Sequence, residues 1–104
     1  MLSKIVSVAA GTTQTILFNA TGAKRTSASN SGKPTITIII AGGATATVST
    51  RTAEGGTALA VASGNLSGTI SSSKSDVLEG SIHSIDVTAA VAPVTVEIAF
   101  PEDI

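Results

Sequence analysis

Short runs of alternating β-branched and polar residues, each ended by Gly, Pro, Asn or Ser, are the feature that most limits how this chain can fold. The clearest run is residues 35–41, in which Ile36, Ile38 and Ile40 share one face of an extended segment. Successive side chains of a strand point to opposite faces, so this pattern predicts β-strands with one buried face. Ile39 adds apolar surface on the second face, which predicts an interior strand of a sheet.

The runs recur at short intervals and predict about eight strands, which is typical of a sandwich or barrel of antiparallel strands. We expect an all-β fold, a single-domain antiparallel β-sandwich of Ig-like or jelly-roll-like type with essentially no helix, over residues 1–104. Abundant Ser, Thr and Gly favour strands and tight turns over helix. The predicted strands are residues 2–9, 14–18, 35–41, 44–50, 57–62, 66–71, 81–88 and 94–100, with a short edge piece at 77–78.

Several connections between these strands have a recognisable turn chemistry. Gly42-Gly43 lies between two alternating runs and predicts a two-residue β-hairpin, because glycine accepts a positive φ at both turn positions. Glu54-Gly55-Gly56 and Gly64-Asn65 predict two further tight turns. Residues 19–33 and 71–76 are polar and rich in Ser, and we expect exposed loops there.

The chain has to build its core from aliphatic side chains. Its only aromatic residues are Phe18 and Phe100, and much of its apolar content is Ala, which buries little area per residue. A length of 104 residues provides one such core and therefore one domain. The core is thin, and contacts with a partner would help to stabilise it.

The charges are unevenly distributed along the sequence, although the net charge is only −1. Residues 1–74 hold all six Lys and Arg and a single acidic residue, whereas residues 75–104 hold six acidic residues and no Lys or Arg. A chain polarised in this way can present docking surfaces of opposite sign at opposite ends. The alternative is that strands from the two parts pair and their charges balance locally.

The sequence contains no assembled catalytic or metal site. His83 is the one histidine, and an odd separation in a strand places it on the opposite face from Asp86, so we expect no catalytic role and no enzyme activity. The absence of Cys excludes disulfides, thiolate zinc sites and cysteine nucleophiles. The carboxylates show no metal-binding spacing and no phosphate-binding Gly motif occurs, so we expect no cofactor and no metal.

Nucleic acid and membrane are also not the expected partners. Lys24, Arg25 and Lys33 lie in one predicted loop, but no aromatic residues accompany them to stack on bases, and the pI is about 5.6. The longest apolar run, residues 38–41, is far too short to span a bilayer. The segment after Met1 reads as a strand and not as a signal peptide.

Two parts of the sequence resemble a known group of proteins. Residues 50–59 (TRTAEGGTAL) join two strands through an acidic-Gly-Gly turn, and residues 80–88 (GSIHSIDVT) with 93–98 (PVTVEI) form a closing pair of Val- and Thr-rich strands. Over about residues 34–100 the chain resembles the small β-sandwich virion proteins of tailed bacteriophages. The resemblance implies a capsid decoration (cement) protein, or a head or tail accessory protein.

On this resemblance we expect a structural protein that is made in the host cytoplasm and binds and stabilises the lattice of the major capsid protein on the virion surface. It would be a homo-oligomer or lattice-bound. One alternative is a head-to-tail or tail accessory subunit. Another is a carbohydrate- or host-surface-binding module, although the chain lacks the Trp and Tyr on which sugars usually stack. The candidate partner contacts are charged residues of the long loop and the C-terminal end: Lys24, Arg25, Lys33, Glu102 and Asp103.

Overall fold

The computed structural model describes residues 2–17, 34–78 and 82–100. These residues contain eight strands and no helix, which confirms the predicted all-β class. The strands are β1 (Leu2–Val8), β2 (Thr13–Leu17), β3 (Thr35–Ile39), β4 (Thr45–Arg51), β5 (Leu59–Ala60), β6 (Lys74–Val77), β7 (Ser84–Ala90) and β8 (Val94–Phe100).

The eight strands form two four-stranded antiparallel sheets that pack against each other. The first sheet has the order β1-β8-β3-β6 and the second has the order β2-β7-β4-β5. β1 pairs with β8, β2 with β7, β3 with β6, and β4 with β5, so the pairs are nested like one long antiparallel ribbon that has been rolled up. This arrangement of eight strands in two sheets is a jelly roll. The structure thus selects the jelly roll from the two predicted types of sandwich.

The core lies between the sheets and is aliphatic, as predicted. On β3, Ile36 and Ile38 lie opposite Ile98 and Val96 of β8, and all four side chains are fully buried. The second sheet contributes Ile85, Val87 and Ala89 of β7. Every apolar core residue among the described side chains is Ala, Val, Leu or Ile. β3 lies between β8 and β6, which confirms that it is an interior strand.

The connection at Gly42-Gly43 differs from the predicted hairpin. Both glycines have a positive φ, 64° and 79°, and the Ala44 N–H donates to the Ala41 carbonyl over 3.1 Å, so the tight turn is present. However, the turn joins β3 of one sheet to β4 of the other. The hairpin prediction is therefore wrong. Turn chemistry reverses the chain locally, but pairing with distant strands decides which sheet each strand joins.

The segment between β5 and β6 also differs from the prediction. Residues 66–71 do not form a strand: Ile70 makes an isolated bridge with Ala46 of β4, and Leu66 is fully buried in the core. The segment thereby covers part of the outer edge of β4. Conversely, strand β6 covers residues 74–77, where a loop was predicted up to residue 76 and a short edge piece at 77–78. They are polar because β6 lies at the edge of its sheet, with little apolar surface to bury.

The connections between strands divide between two ends of the jelly roll. What we call the neutral end has no charged side chain and consists of residues 9–12, 40–44, 71–73 and 90–93. What we call the charged end consists of Leu17, Pro34, residues 51–58, Leu78, Ile82, His83 and Phe100.

Candidate functional site

The five charged residues predicted as partner contacts lie outside the described residues: Lys24, Arg25, Lys33, Glu102 and Asp103. They stay predictions. The described residues that adjoin them in sequence are Leu17, Pro34 and Phe100, and all three are at the charged end. The described segments on both sides of residues 18–33, and the one before residues 101–104, therefore end at the charged end.

A network centred on Asp86 occupies the outer face of the second sheet. The Arg51 guanidinium donates to Asp86 Oδ2 through Nε at 3.1 Å and Nη2 at 2.8 Å, and Thr15 Oγ1 donates to Asp86 Oδ1 at 2.8 Å. Arg51 Nη1 also donates to the Gly56 carbonyl at 2.6 Å. This hydrogen bond holds the turn at residues 54–56 next to the Arg51–Asp86 ion pair. The network thus links three strands and one turn of the charged end.

The same network shows how charges from the two parts of the sequence meet. Arg51 belongs to the basic part and Asp86 to the acidic part, and their side chains retain only 30% and 11% exposure. The hydrogen bonds from Arg51, assisted by the one from Thr15, hold the pKa of Asp86 below its usual value against the opposing effect of burial. Asp86 likewise raises the pKa of Arg51. For this pair, local balance of charge is the better description.

His83 precedes β7 and makes no hydrogen bond with Asp86. Its Nδ1 lies 3.2 Å from Ser84 Oγ, and its Nε2 is buried without a hydrogen-bond partner. The oxygens of Asp86 are bonded to Arg51 and Thr15 instead. Asp86 therefore links β7 to β2 and β4 through its hydrogen bonds and does not orient His83.

A pocket of about 380 Å³ lies beside this network at the charged end. Thr15, Leu17, Arg51, Glu54 and His83 are among the residues that line it, and most of its exposed lining is apolar. The buried Nε2 of His83 is covered by protein atoms and does not open into the pocket. Thr15 and Arg51 already donate to Asp86, and Arg51 also donates to the Gly56 carbonyl, so these polar groups of the pocket are bonded within the chain.

A larger groove, of about 570 Å³, separates the edges of the two sheets at β5 and β6. Leu78 and Ile82 form its apolar floor, and Val61 lies half-buried beside them. Leu59 and Val77 stand on its rims with 61% and 41% of their surface exposed. We call this groove the edge cleft. Thr50, Thr52, Ser63 and Asp76 also line it, so the edge cleft offers both apolar and polar contacts.

The backbone of β6 beside the edge cleft is already capped by side chains. Asn65 Nδ2 donates to the Ser75 carbonyl at 3.0 Å, and the Asp76 carboxylate accepts the N–H groups of Asn65 at 3.0 Å and Val77 at 2.8 Å. A strand added at this edge would have to break these hydrogen bonds. The edge cleft is thus suited to receiving side chains rather than another strand.

The edge strand β1 is protected in a different way. Lys4 lies opposite the buried Ile98, and so it points toward the gap between the sheets. Its Nζ donates to the Leu17 carbonyl of β2 at 3.3 Å, and burial lowers the pKa of Lys4. A charged residue that points inward from an edge strand disfavours pairing with a further strand. The outward side of β1 displays Ile5, which is 69% exposed.

The neutral end contains a strained residue with an exposed apolar side chain. Val91 has a φ of 72°, and the Ala92 N–H donates to the Ala90 carbonyl at 2.8 Å. These features define a γ-turn in its rare, strained form. A β-branched residue in this region of φ costs about 1–3 kcal/mol. Val91 is nevertheless 78% exposed, so its side chain gains little from the core in return.

The described residues contain no group of three or more His, Asp and Glu that could hold a metal ion. Among those same residues there is also no helix long and apolar enough to cross a membrane. The chain matches no protein family, no curated protein and no solved structure.

The sequence does not predict the Asp86 network or the edge cleft. The pairing of Arg51 with Asp86 requires β4 and β7 to be neighbours, which the sequence does not reveal. The edge cleft forms because β5 and β6 are edge strands of different sheets that lie beside each other. Only Val91 left a signal, since a Val between two Ala residues and before Pro93 is an unusual composition for a turn.

Proposed function

We propose that this chain is a structural subunit without catalytic activity that binds another protein surface in an assembly. The observation that supports this most is the contrast between its polar and its apolar groups. Arg51 and Asp86 are bonded to groups of the same chain. Ile5, Leu59 and Val91, in contrast, keep 69%, 61% and 78% of their surface exposed. Covering exposed aliphatic side chains with a partner protein removes apolar surface from water and so stabilises the complex.

In more specific terms, we propose a capsid decoration (cement) protein of a tailed bacteriophage that binds the major capsid protein on the virion surface. This rests on the resemblance of residues 34–100 to small virion proteins. The jelly roll is compatible with it, because viral capsid proteins and lectins use this fold, although the argument is one of analogy between folds. A protein that binds the intact shell but not its separated subunits stabilises the shell by mass action.

The charged end supplies the ionic contacts in this proposal. Residues 18–33 and 101–104 adjoin it in sequence and carry the five predicted contact residues. The matching surface on the capsid would have to present both acidic and basic groups. Binding through such charges weakens as the ionic strength rises.

The test is to heat capsids with and without the purified protein and to follow shell disruption by light scattering. We expect disruption at a higher temperature with the protein. A triple variant, Lys24→Ser with Arg25→Ser and Lys33→Ser, should lose much of this effect. Lys74→Ser is the matched control, because this exposed lysine lies on β6, outside the charged end, and the variant should protect like the wild type. Equal disruption temperatures with and without the wild-type protein would refute a cementing role.

The accessory-subunit alternative differs in copy number. A decoration protein is present in numbers comparable to those of the major capsid protein, whereas a head-to-tail or tail subunit is present in a few copies per particle. Quantitative mass spectrometry of purified particles separates the two.

The carbohydrate-binding alternative would place the sugar in the pocket lined by Thr15, Arg51, Glu54 and His83. Lectins are among the proteins that use a jelly roll. A glycan array probed with the wild type and with Thr15→Val tests this function. Binding that the variant loses would favour it, and no bound glycan would rule against it.

A further inference from the structure

The edge strand β1 is held unevenly along its length. Of its described side chains that face the gap between the sheets, Val8 is fully buried, Val6 is half-buried and Lys4 carries a charge. The strand therefore makes its firmest contact with the core near the neutral end. Toward the charged end, where Leu2 pairs with Phe100, a lysine stands in the place of an aliphatic side chain.

Lys4 is a poor match for the position that it occupies. Its partner in the register is Ile98, which is fully buried, so an aliphatic side chain would pack against it without dehydrating a charge. The Lys4 ammonium has three N–H groups but makes one hydrogen bond with the described residues, to the Leu17 carbonyl at 3.3 Å. Partial burial disfavours its charged form and lowers the pKa of Lys4. Closing residues 2–5 onto β8 thus has a desolvation cost that closing residues 6–8 does not have.

The other end of β1 is fixed by the turn that follows it. The Thr12 N–H and hydroxyl both donate to the Ala9 carbonyl, at 3.1 Å and 2.7 Å. These hydrogen bonds and the burial of Val8 keep residues 6–8 in place. Residues 2–5 have no such support, because β1 pairs with β8 alone.

We propose that residues 2–5 of β1 form a flap that opens while residues 6–8 and the rest of the sandwich stay folded. Opening breaks the pairing with residues 97–100 of β8 and uncovers Ile98 at the charged end. The closed flap keeps this edge of β8 paired and so prevents a further strand from adding to it. The proposal goes beyond the function proposed above, because the flap opens in the isolated chain whether or not a capsid binds it.

The opposite edge of the same sheet is held differently. Lys74 of β6 lies opposite the buried Ile38, yet its side chain is exposed and stays hydrated. Asn65 and Asp76 bond to the backbone of the same strand. Lys74 is therefore the matched control for Lys4, a lysine opposite an isoleucine of the same sheet without a desolvation cost.

The experiment is native-state hydrogen exchange of the full chain, followed by NMR, which measures the opening of each segment separately. After correction for intrinsic rates, the amides of residues 2–5 that bond to β8 should exchange roughly 10- to 100-fold faster than those of residues 6–8. The reason is that opening residues 6–8 also exposes the buried Val8. Equal protection of the two segments would overturn the proposal.

Val8→Ala tests whether the flap opens independently. Its effect should be confined to openings that expose residue 8, so exchange of residues 6–8 should accelerate by about 10-fold or more while exchange of residues 2–5 stays unchanged. Acceleration of both segments by the same factor would show that β1 opens as one unit, and would contradict the flap.

Lys4→Leu tests the cause of the opening. Exchange of residues 2–5 should slow by about 10-fold or more, because a leucine packs against Ile98 with no ammonium group to dehydrate. Lys74→Leu should leave exchange of residues 2–5 at the wild-type rate. Exchange that fails to slow in Lys4→Leu, or that slows equally in both variants, would refute the assignment of the flap to Lys4.

Discussion

Leu66 provides a sharp test of how this thin core is completed. It lies in the irregular segment between β5 and β6 and is fully buried, whereas Leu59, only seven residues earlier, is 61% exposed. The same Leu→Ala change can therefore be made in two environments of one chain. The comparison separates the contribution of burial from that of local conformation.

The expected magnitude for Leu66→Ala follows from the atoms removed. Three carbon atoms at about 0.8 kcal/mol each give about 2.4 kcal/mol of lost transfer free energy. A cavity of roughly 60 Å³ that does not collapse adds about 1.4 kcal/mol. We expect the free energy of unfolding to fall by about 3–4 kcal/mol, a large part of the roughly 5–15 kcal/mol available to a domain of this size. Leu59→Ala should cost less than about 1 kcal/mol.

The assay is equilibrium unfolding in urea. The chain has no Trp or Tyr, so the transition is followed by far-ultraviolet circular dichroism rather than by fluorescence. The variant should shift the midpoint without changing the slope of free energy against urea concentration. A loss below about 1 kcal/mol for Leu66→Ala, or equal losses for both variants, would show that Leu66 is not part of the core.

Two further predictions concern the Asp86 network and the Gly42 turn. Asp86→Asn should lower the stability by about 2 kcal/mol at neutral pH. The pKa of Asp86 is lower in the folded than in the unfolded state, so the stability that its carboxylate contributes is present above about pH 4 and is lost as the pH falls through the folded pKa. The difference in stability between the wild type and Asp86→Asn should therefore shrink in acid. A difference that persists at the lowest pH would contradict this. Gly42→Ala should cost about 1–2 kcal/mol in thermal unfolding, because its φ is 64° while its Cβ would meet only ordinary contacts; an unchanged melting temperature would refute the turn conformation.

The sequence was sufficient to predict the fold class because the signal for it is local. Alternation in residues 35–41 and 94–100 identified β3 and β8, and the apolar second face of β3 identified an interior strand. Each of these properties depends only on which side chains share a face. The aliphatic nature of the core likewise follows from composition.

The features that the sequence did not predict depend on long-range pairing. Gly42-Gly43 reads as a hairpin whether its flanking strands pair with each other or diverge into two sheets. β6 has the sequence KSDV, which is too polar to read as a strand, because an edge position requires little burial. Leu66 and Ile70 look like the inward face of a strand, yet they anchor an irregular segment to the core.

The candidate site was predictable only in part for the same reason. The partners of Asp86 come from β2 and β4, which are distant in sequence, and the edge cleft is formed by strands of different sheets. No local pattern brings these residues together. Of the contact residues predicted from charge, Lys24, Arg25 and Lys33 are tested by the triple lysine and arginine variant.

Imaging the native particle by electron cryomicroscopy tests most directly the proposal that this chain is a structural subunit of a virion. We expect the jelly roll on the outer surface of the shell, in a regular ratio to the major capsid protein and with its charged end against the lattice. Particles that lack the protein altogether would contradict the claim. A few copies confined to the neck or tail would contradict the decoration role and leave the accessory subunit in its place.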